Sequence, residues 1–283
     1  MVRFQLTLFV TAISLLVIAV FSGCQAPRTR AEPVIPAAPE QAVPSGTQSP
    51  ADAITVFAGA ASKPALEQLC SVYRARSGVQ VDVTFGGSGA VLTQFSQEQY
   101  GDVYIPGSDD FMDKAEAKGA VLKGTRTALI DLVPMICVAK GNPKGIQGLE
   151  DLAQNGLRVV IGEPKAVCLG DIAQQMLQAE GLWDKVEPRI VSYAGNCEDV
   201  LNTLMLGESD AVIGWDAWPR QYPEKVDGVS LPAEIARPRN IPAAVIKWSK
   251  QPEAAKAFIE FLTGEEAQRS FEEHGYTVHR QEP

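Results

Sequence analysis

Two serine-bearing turns carry the clearest chemical signal in this chain. One spans Phe57–Pro64 and the other Phe85–Ala90; each follows an apolar strand-like run and opens a helical pattern. The first N–H groups of a helix have no intrahelical partner, and the aligned peptide dipoles leave partial positive charge at that end. A serine hydroxyl beside small residues lets an oxyanion approach those N–H groups closely. We therefore predict that Ser62 and Ser88 bind one anion in a shared cleft.

The alternative role for each serine is an ordinary N-cap. Serine is common before helices because its hydroxyl accepts a hydrogen bond from an N–H of the first turn. Either Ser62 or Ser88 taken alone fits that role better than anion binding. Two such turns, each after a strand and among glycine and alanine residues, favour the shared anion site.

Predicted strands and helices alternate along the chain and would position these turns. Strand patterns and helices of about 10 to 15 residues follow one another, which indicates parallel α/β sheets. Ligands of such sheets bind beyond the carboxyl ends of the strands. We predict an α/β protein of two lobes, each a mostly parallel sheet flanked by helices, with the ligand cleft between the lobes. Residues 53–133 with 249–283 are predicted to form the first lobe, and residues 134–248 the second.

Two predicted strands lie near the limits of these lobes. The run Ile130–Ala139 is rich in β-forming residues and predicts one long strand. The last strand is predicted over Ala243–Lys247, before two C-terminal helices.

The N-terminal residues have the pattern of an export signal. Arg3 supplies a positive charge, and the apolar run that follows is shorter than the roughly 20 residues of a membrane-spanning helix. Ser22-Gly23-Cys24 resembles a lipobox, which predicts a signal peptide over residues 1–24 and a lipid on Cys24. The alternative is ordinary signal peptidase cleavage, with Cys24 an incidental thiol. Residues 25–52 are rich in proline and predict a disordered tether.

The charge balance limits the partners that this chain can bind. Its formal net charge is −9, and it has no block of lysine or arginine residues. Nucleic-acid binding is therefore excluded as a function class. An acidic protein that binds an anion has to rely on local dipoles and neutral donors in a closed cleft. We expect a membrane-anchored monomer that binds a small oxyanion.

The cysteines of the second half raise a separate question. Cys168 and Cys197 both fall in turns that should face the cleft. Three alternatives are open: a disulfide that joins the two turns, free structural thiols, or a pair of thiolates that bind a soft metal or metalloid. Cys70 and Cys137 lie in apolar patterns and are predicted to be inert core residues.

Enzyme motifs are missing from the sequence. It contains no HExxH, P-loop, GxSxG or dinucleotide-binding motif, and its two histidines, both near the C-terminus, cannot form a zinc triad. No base or nucleophile is placed beside either serine. An enzyme on the same two-lobed scaffold is therefore the weakest of the alternatives, and no cofactor is expected.

The serine turns and their surroundings resemble those of the periplasmic molybdate-binding proteins of ABC importers. The similar segments include ITVFAGAASKPALEQL, VDVTFGGSGAV, LRVVIGEPKAVCLG and DAVIGW. The resemblance extends over Ile54–Thr277 and implies the type II periplasmic-binding-protein fold, with molybdate or tungstate as ligand. It also implies an ABC transporter permease as the partner that receives the anion.

The resemblance further implies which residues contact the anion. The two serines of the family fall on Ser62 and Ser88, and two backbone N–H donors of the second lobe fall on Leu169 and Val200. The tyrosine that completes the family's site is replaced here by Trp215, whose indole N–H can donate but cannot accept. The family separates molybdate and tungstate from sulfate mainly by the size of the cavity.

Overall fold

The structure is a computed structural model that describes residues 53–279. The predicted signal peptide, the proline-rich tether and the lipidated Cys24 lie outside the described residues. Within the described part of the chain, no helix has both the length and the apolar character needed to cross a membrane.

Eleven strands are found among the described residues. In chain order they are β1 (Ala53–Gly59), β2 (Gln80–Gly86), β3 (Val103–Ile105), β4 (Thr127–Leu132), β5 (Pro134–Ala139), β6 (Val159–Gly162), β7 (Ile190–Ala194), β8 (Ala211–Trp215), β9 (Val226–Val229), β10 (Arg239–Val245) and β11 (Thr277–Val278).

Nine α-helices accompany these strands in the same part of the chain. They are α1 (Lys63–Ser77), α2 (Ser88–Glu98), α3 (Asp109–Ala117), α4 (Cys168–Ala179), α5 (Trp183–Val186), α6 (Cys197–Met205), α7 (Trp218–Gln221), α8 (Pro252–Thr263) and α9 (Glu265–Glu273). A short 3-10 turn, Ala60–Ser62, connects β1 to α1.

The strands form two sheets, which define the two lobes. The first lobe holds the six-stranded sheet, ordered β11-β4-β10-β3-β1-β2, and the second holds the five-stranded sheet, ordered β7-β6-β8-β5-β9. Both sheets are mixed. Strand β1 runs parallel to β2 and β3, and β6 runs parallel to β7 and β8, whereas β10 and β5 run antiparallel to their neighbours.

Most strands of each sheet run in one direction, as predicted. The exceptions are β5 in the second sheet and β10 with β11 in the first; β5 and β10 are the first strands after each crossing between the lobes, and each runs antiparallel to both of its neighbours. The pattern of apolar residues sets the face of a strand but not its direction, so the sequence did not reveal this.

The chain crosses from the first sheet to the second at Val133. The predicted single strand Ile130–Ala139 is wrong, because β4 and β5 belong to different sheets on either side of this residue. Asp216 holds the crossing: its Oδ1 accepts from Val133 N–H at 2.9 Å, and its own N–H donates to Val133 O at 2.9 Å. The return crossing lies between β9 and β10, so β10 pairs in the first sheet although the predicted second lobe extended to residue 248.

The helices pack on the sheets through apolar stripes, as α1 illustrates. Its buried residues Leu66, Leu69, Cys70 and Tyr73 recur every three or four positions, which places them on one face. The helix ends at Gly78, whose φ of +77° is a left-handed conformation that glycine adopts at little cost. Burial raises the pKa of the Cys70 thiol to about 12, so this cysteine stays protonated in the core.

Candidate functional site

The carboxyl ends of strands β1, β2 and β3 lie side by side and gather three turns at one edge of the first sheet. The register pairs Gly59 with Gly86 and Ala58 with Ile105. The turns that follow therefore bring the two predicted serines into one region. A Cβ added to Gly59 would lie 3.0 Å from Ser88 Oγ, so the first turn reaches the second with no room for a side chain.

Ser62 occupies the N-cap position of α1 but does not cap it. Its side chain makes no capping hydrogen bond. Within residues 53–279 its Oγ has no hydrogen-bond partner, although the residue is only 2% exposed. The turn itself is fixed from outside, because the Tyr276 hydroxyl donates to Ala61 O at 2.9 Å. The N-cap alternative therefore does not account for this serine.

Ser88 is also not an N-cap, because the N-cap of α2 is Gly87. Ser88 is the first helical residue, and its Oγ accepts a hydrogen bond from Gly107 N–H at 2.8 Å. Its carbonyl accepts from the buried Tyr104 hydroxyl at 2.9 Å. These contacts fix the side chain and leave the hydroxyl proton available for another acceptor.

Gly107 contacts the predicted site but was not among the predicted residues. It lies in the third turn, after β3, and its amide is the donor that orients Ser88. The signal was present in the sequence, since Gly107-Ser108 also follows an apolar strand and precedes a helix. The sequence does not indicate that β3 lies beside β1, and only that neighbourhood brings Gly107 to Ser88.

The second lobe contributes the N-terminal ends of α4 and α6. Leu169 is the second residue of α4 and is buried. A residue at this position has an N–H group without an intrahelical partner. The helix therefore directs an N–H group of its first turn into the region between the lobes.

Val200 does not have the free N–H group that was predicted. Its amide donates to Asn196 O at 3.2 Å, which is the first hydrogen bond within α6. Asn196 caps the helix, and its Oδ1 accepts from Asp199 N–H at 2.9 Å. Cys197, Glu198 and Asp199 precede the first intrahelical bond, and Asn196 caps the last of them. The Val200 N–H is therefore already used within α6, which does not fit the role that the family resemblance implied for it.

Trp215, the predicted counterpart of the family's tyrosine, is the last residue of β8. It is fully buried, and in the described part of the chain its Nε1 has no partner that meets hydrogen-bond geometry. The indole lies near the Cys197 thiol: Cys168 and burial raise the pKa of that thiol well above its usual value, and the indole opposes this rise. Buried polar atoms in folded proteins are almost always paired, so two unpaired donors, Ser62 Oγ and Trp215 Nε1, point to a missing acceptor.

Cys168 and Cys197 are free thiols, so the structure does not contain the disulfide that was one alternative. The two side chains interact. Their contact lowers the pKa of Cys168, while the same contact and burial raise the pKa of Cys197 well above its usual value. Among the described residues, no group of three or more histidine, cysteine or carboxylate side chains could hold a metal ion. A soft-metal site at these two cysteines is therefore not favoured.

Several contacts hold the lobes together over the site. Gly89 N–H donates to Ala166 O of the second lobe at 2.8 Å. A Cβ on Gly87 would lie 2.5 Å from Ala166 O and 2.7 Å from Gly195 O, so only glycine allows this approach. The structure is therefore that of a closed cleft.

Two ion pairs also span the cleft. Lys63 Nζ lies 2.7 Å from Glu198 Oε2, and Lys114 Nζ lies 2.6 Å from Asp171 Oδ2. In both pairs the lysine belongs to the first lobe and the carboxylate to the second. The carboxylate partner neutralises each lysine, so neither lysine offers a free positive charge to an anion in the cleft. The donors left for an anion are therefore uncharged hydroxyl, indole and backbone N–H groups.

Comparison with known proteins places the chain in a family. The family model of the bacterial extracellular solute-binding proteins matches residues 54–277. The molybdate-binding protein ModA of Mycobacterium tuberculosis strain H37Rv is 32% identical over 235 residues, which cover 82% of this chain and 87% of ModA. The putative ABC transporter substrate-binding lipoprotein YvgL of Bacillus subtilis is 28% identical over 228 residues, which cover 80% of this chain and 86% of YvgL.

Solved structures agree with this result. The periplasmic molybdate-binding protein of Azotobacter vinelandii has a TM-score of 0.69 and 23% sequence identity, and the match covers 80% of this chain and all of that one. At this identity the likeness supports the two-lobed fold. These relatives are binding proteins and not enzymes, which agrees with the resemblance stated from the serine turns. The chain therefore belongs to the bacterial extracellular solute-binding protein family, and its relatives there include the molybdate-binding proteins ModA.

Proposed function

We propose that this protein captures a tetrahedral oxyanion, molybdate or tungstate, and delivers it to an ABC transporter permease. The observation that carries the proposal is the pair of unpaired buried donors, Ser62 Oγ and Trp215 Nε1, at the closed interface of the lobes. A buried donor without an acceptor costs about 1–3 kcal/mol, so each of these two atoms would gain stability from an acceptor that the ligand supplies.

The lining of the site favours a fully deprotonated dianion. Ser62, Ser88, Trp215 and the Leu169 N–H all present hydrogen-bond donors, and none of them carries a charge. Molybdate, tungstate and sulfate only accept hydrogen bonds at neutral pH, whereas hydrogen phosphate carries a proton that needs an acceptor. Hydrogen bonds from fixed neutral dipoles gain strength in a site that excludes water, which allows an acidic protein to bind a dianion.

The relatives support the choice of anion. Molybdate is the ligand in the name of ModA proteins from several bacteria, including M. tuberculosis and Escherichia coli. We extend this ligand to the present chain, and add tungstate because it has the same shape and charge. The size of the closed cavity would then separate both from sulfate.

The anchoring and the delivery of the anion belong to the same proposal. The lipobox-like Ser22-Gly23-Cys24 and the relationship to the lipoprotein YvgL support a lipid on Cys24. The monomer would then be held at the outer side of a membrane by the tether of residues 25–52. Contacts between the lobes, such as Lys63 with Glu198, form only in the closed state that a permease would recognise.

Isothermal titration calorimetry tests the proposal. The purified protein is titrated with molybdate, tungstate, sulfate and phosphate in separate runs. We expect submicromolar binding of the first two, much weaker binding of sulfate, and no binding of phosphate. If neither molybdate nor tungstate binds more tightly than sulfate, the assignment is wrong.

A further inference from the structure

Two buried tyrosines of the first lobe bind the backbone of the serine turns. The Tyr276 hydroxyl donates to Ala61 O at 2.9 Å, directly before Ser62. The Tyr104 hydroxyl donates to Ser88 O at 2.9 Å. Tyr276 lies between α9 and β11 and Tyr104 lies on β3, so the two contacts come from distant parts of the chain. Each serine turn of the site therefore has one phenol bound to its carbonyl.

Packing fixes the positions of both phenols. The Tyr276 ring meets the Phe271 ring edge-on, with centroids 6.0 Å apart, and the Tyr104 ring lies 5.0 Å from the Phe95 ring. Both tyrosines are buried, and burial raises the pKa of each hydroxyl above its usual value. Both phenols therefore keep their protons at neutral pH and remain hydrogen-bond donors.

The Tyr276 contact sets the peptide that leads into Ser62. A peptide unit is planar, so a bond that holds its carbonyl oxygen also holds the N–H group and the Cα of the next residue. The Ser62 side chain makes no capping hydrogen bond, and its Oγ is unpaired among residues 53–279. The hydroxyl therefore does not anchor its own turn, whose orientation depends on backbone contacts such as the one from Tyr276.

The Tyr104 contact continues into the second lobe. The peptide unit that contains Ser88 O also contains the Gly89 N–H, which donates to Ala166 O at 2.8 Å. Hydrogen bonds linked through one peptide unit polarise and strengthen one another in an interior of low dielectric. Tyr104 therefore supports two features at once, the turn that carries Ser88 and a contact that joins the lobes.

We propose that Tyr276 and Tyr104 are positioning residues for the oxyanion: each fixes one serine turn by binding its carbonyl, so that the serine hydroxyl is in place before the anion arrives. This inference rests on the proposed function. Groups that are held in the bound geometry lose little freedom on binding, which raises affinity without a new contact to the ligand. Neither phenol contacts the anion, because each hydroxyl proton is already donated to a turn.

Calorimetry with molybdate measures the effect of each phenol. Tyr276→Phe and Tyr104→Phe remove one hydroxyl and keep the ring, and each should reduce molybdate affinity about two- to tenfold, as expected for one neutral hydrogen bond. Tyr73→Phe is the matched control. Tyr73 is a buried tyrosine of α1 that packs on Phe258 and Phe261, and its variant should bind molybdate as tightly as the unmodified protein.

Double-mutant cycles separate positioning from a general structural role. Ser62→Ala removes the hydroxyl that Tyr276 positions, so Tyr276→Phe should lose most of its effect in that background and keep it in Ser88→Ala. Tyr104→Phe should show the opposite pattern. Equal fold-losses in the unmodified protein and in both serine variants would mean that the tyrosines do not act through the serines, and would overturn the inference.

Hydrogen exchange in the ligand-free protein gives an outcome that does not depend on an anion. Tyr276→Phe should speed the exchange of amides in residues 60–63 and Tyr104→Phe that of amides in residues 86–90, with Tyr73→Phe unchanged in both. Circular dichroism verifies that each variant is folded. Unchanged exchange in both turns overturns the inference even if molybdate binds. Faster exchange in the expected turn, without binding of any oxyanion to the unmodified protein, means instead that the proposed function fails.

Discussion

Lys63 Nζ and Glu198 Oε2 lie 2.7 Å apart and join helix α1 of the first lobe to helix α6 of the second. Both residues belong to helix starts that face the site, so this ion pair can form only when the cleft is closed. The Glu198 carboxylate raises the pKa of the Lys63 ammonium above its usual value. Its contribution is therefore present at neutral pH and is lost only as the pH rises through that raised pKa.

Removal of this ion pair should weaken anion binding slightly. Both side chains are partly exposed, so the pair contributes about 0.2–1 kcal/mol to closure, and Lys63→Met should reduce the affinity for molybdate about two- to fivefold at low salt. Calorimetry at low and high ionic strength measures the effect, which should shrink at high salt. Lys256→Met removes a comparable pair within α8 and should leave the affinity unchanged. Equal losses of molybdate affinity in Lys63→Met and Lys256→Met would show that the pair of Lys63 and Glu198 does not act by stabilising the closed cleft.

Ser62→Ala should separate binding from stability. The hydroxyl is buried without a partner in residues 53–279, so its loss should leave the free energy of unfolding unchanged or higher. A hydrogen bond to a charged ligand is worth about 1.5–3 kcal/mol, so molybdate affinity should fall about 10- to 150-fold. Thermal melting and calorimetry measure the two effects.

Ser270→Ala provides the matched control for that variant. Ser270 is also buried, its Oγ is also unpaired among the described residues, and it lies on α9 away from the serine turns. We expect it to bind molybdate as tightly as the unmodified protein. A loss of affinity in Ser270→Ala as large as in Ser62→Ala would mean that the first serine does not contact the anion.

Trp215→Phe should remove one donor and keep most of the packing. The indole N–H is fully buried, and phenylalanine fills most of the same space. We expect a loss of about tenfold in molybdate affinity, equivalent to about 1.4 kcal/mol, with a modest decrease in melting temperature. Trp248→Phe, at a half-buried position outside the site, should not change the affinity. An unchanged affinity in Trp215→Phe would exclude the indole as a donor to the ligand.

Cys24→Ser tests the predicted lipid anchor. If Cys24 carries a lipid, the mature protein should partition into the detergent phase of a Triton X-114 extract, and the variant should move to the aqueous phase or remain as precursor. Mass spectrometry of the N-terminal peptide should show the added diacylglyceryl mass only in the unmodified protein. Detergent-phase partition that persists in Cys24→Ser would place the anchor elsewhere.

The residues near each serine could be predicted from sequence because the signals there are local. An apolar run, a turn of small residues and a helical pattern lie within a few residues of Ser62 and Ser88, and the structure has a strand before and a helix after each turn, as predicted. The same local rule fixes Leu169 at the start of α4. The family resemblance was carried by these segments and is confirmed by the family model.

The features that were missed depend on contacts distant in the chain. The run Ile130–Ala139 looks like one strand in sequence but forms two strands of different sheets, β4 and β5, and Asp216, 83 residues away, bonds the residue between them. Strand pairing likewise sets the direction of β10 and brings Gly107 to Ser88. The start of helix α6 decides that the Val200 N–H is already bonded. Apolar periodicity contains none of this information.

The most direct test of the account is the position of the metal in crystals grown with tungstate. Anomalous scattering at the tungsten absorption edge locates the anion without interpretation of the protein density. We predict one strong peak between the lobes, with oxyanion oxygens within hydrogen-bond distance of Ser62 Oγ, Ser88 Oγ and Trp215 Nε1. A peak outside the cleft, or tungsten bound directly to the sulfurs of Cys168 and Cys197, would contradict it.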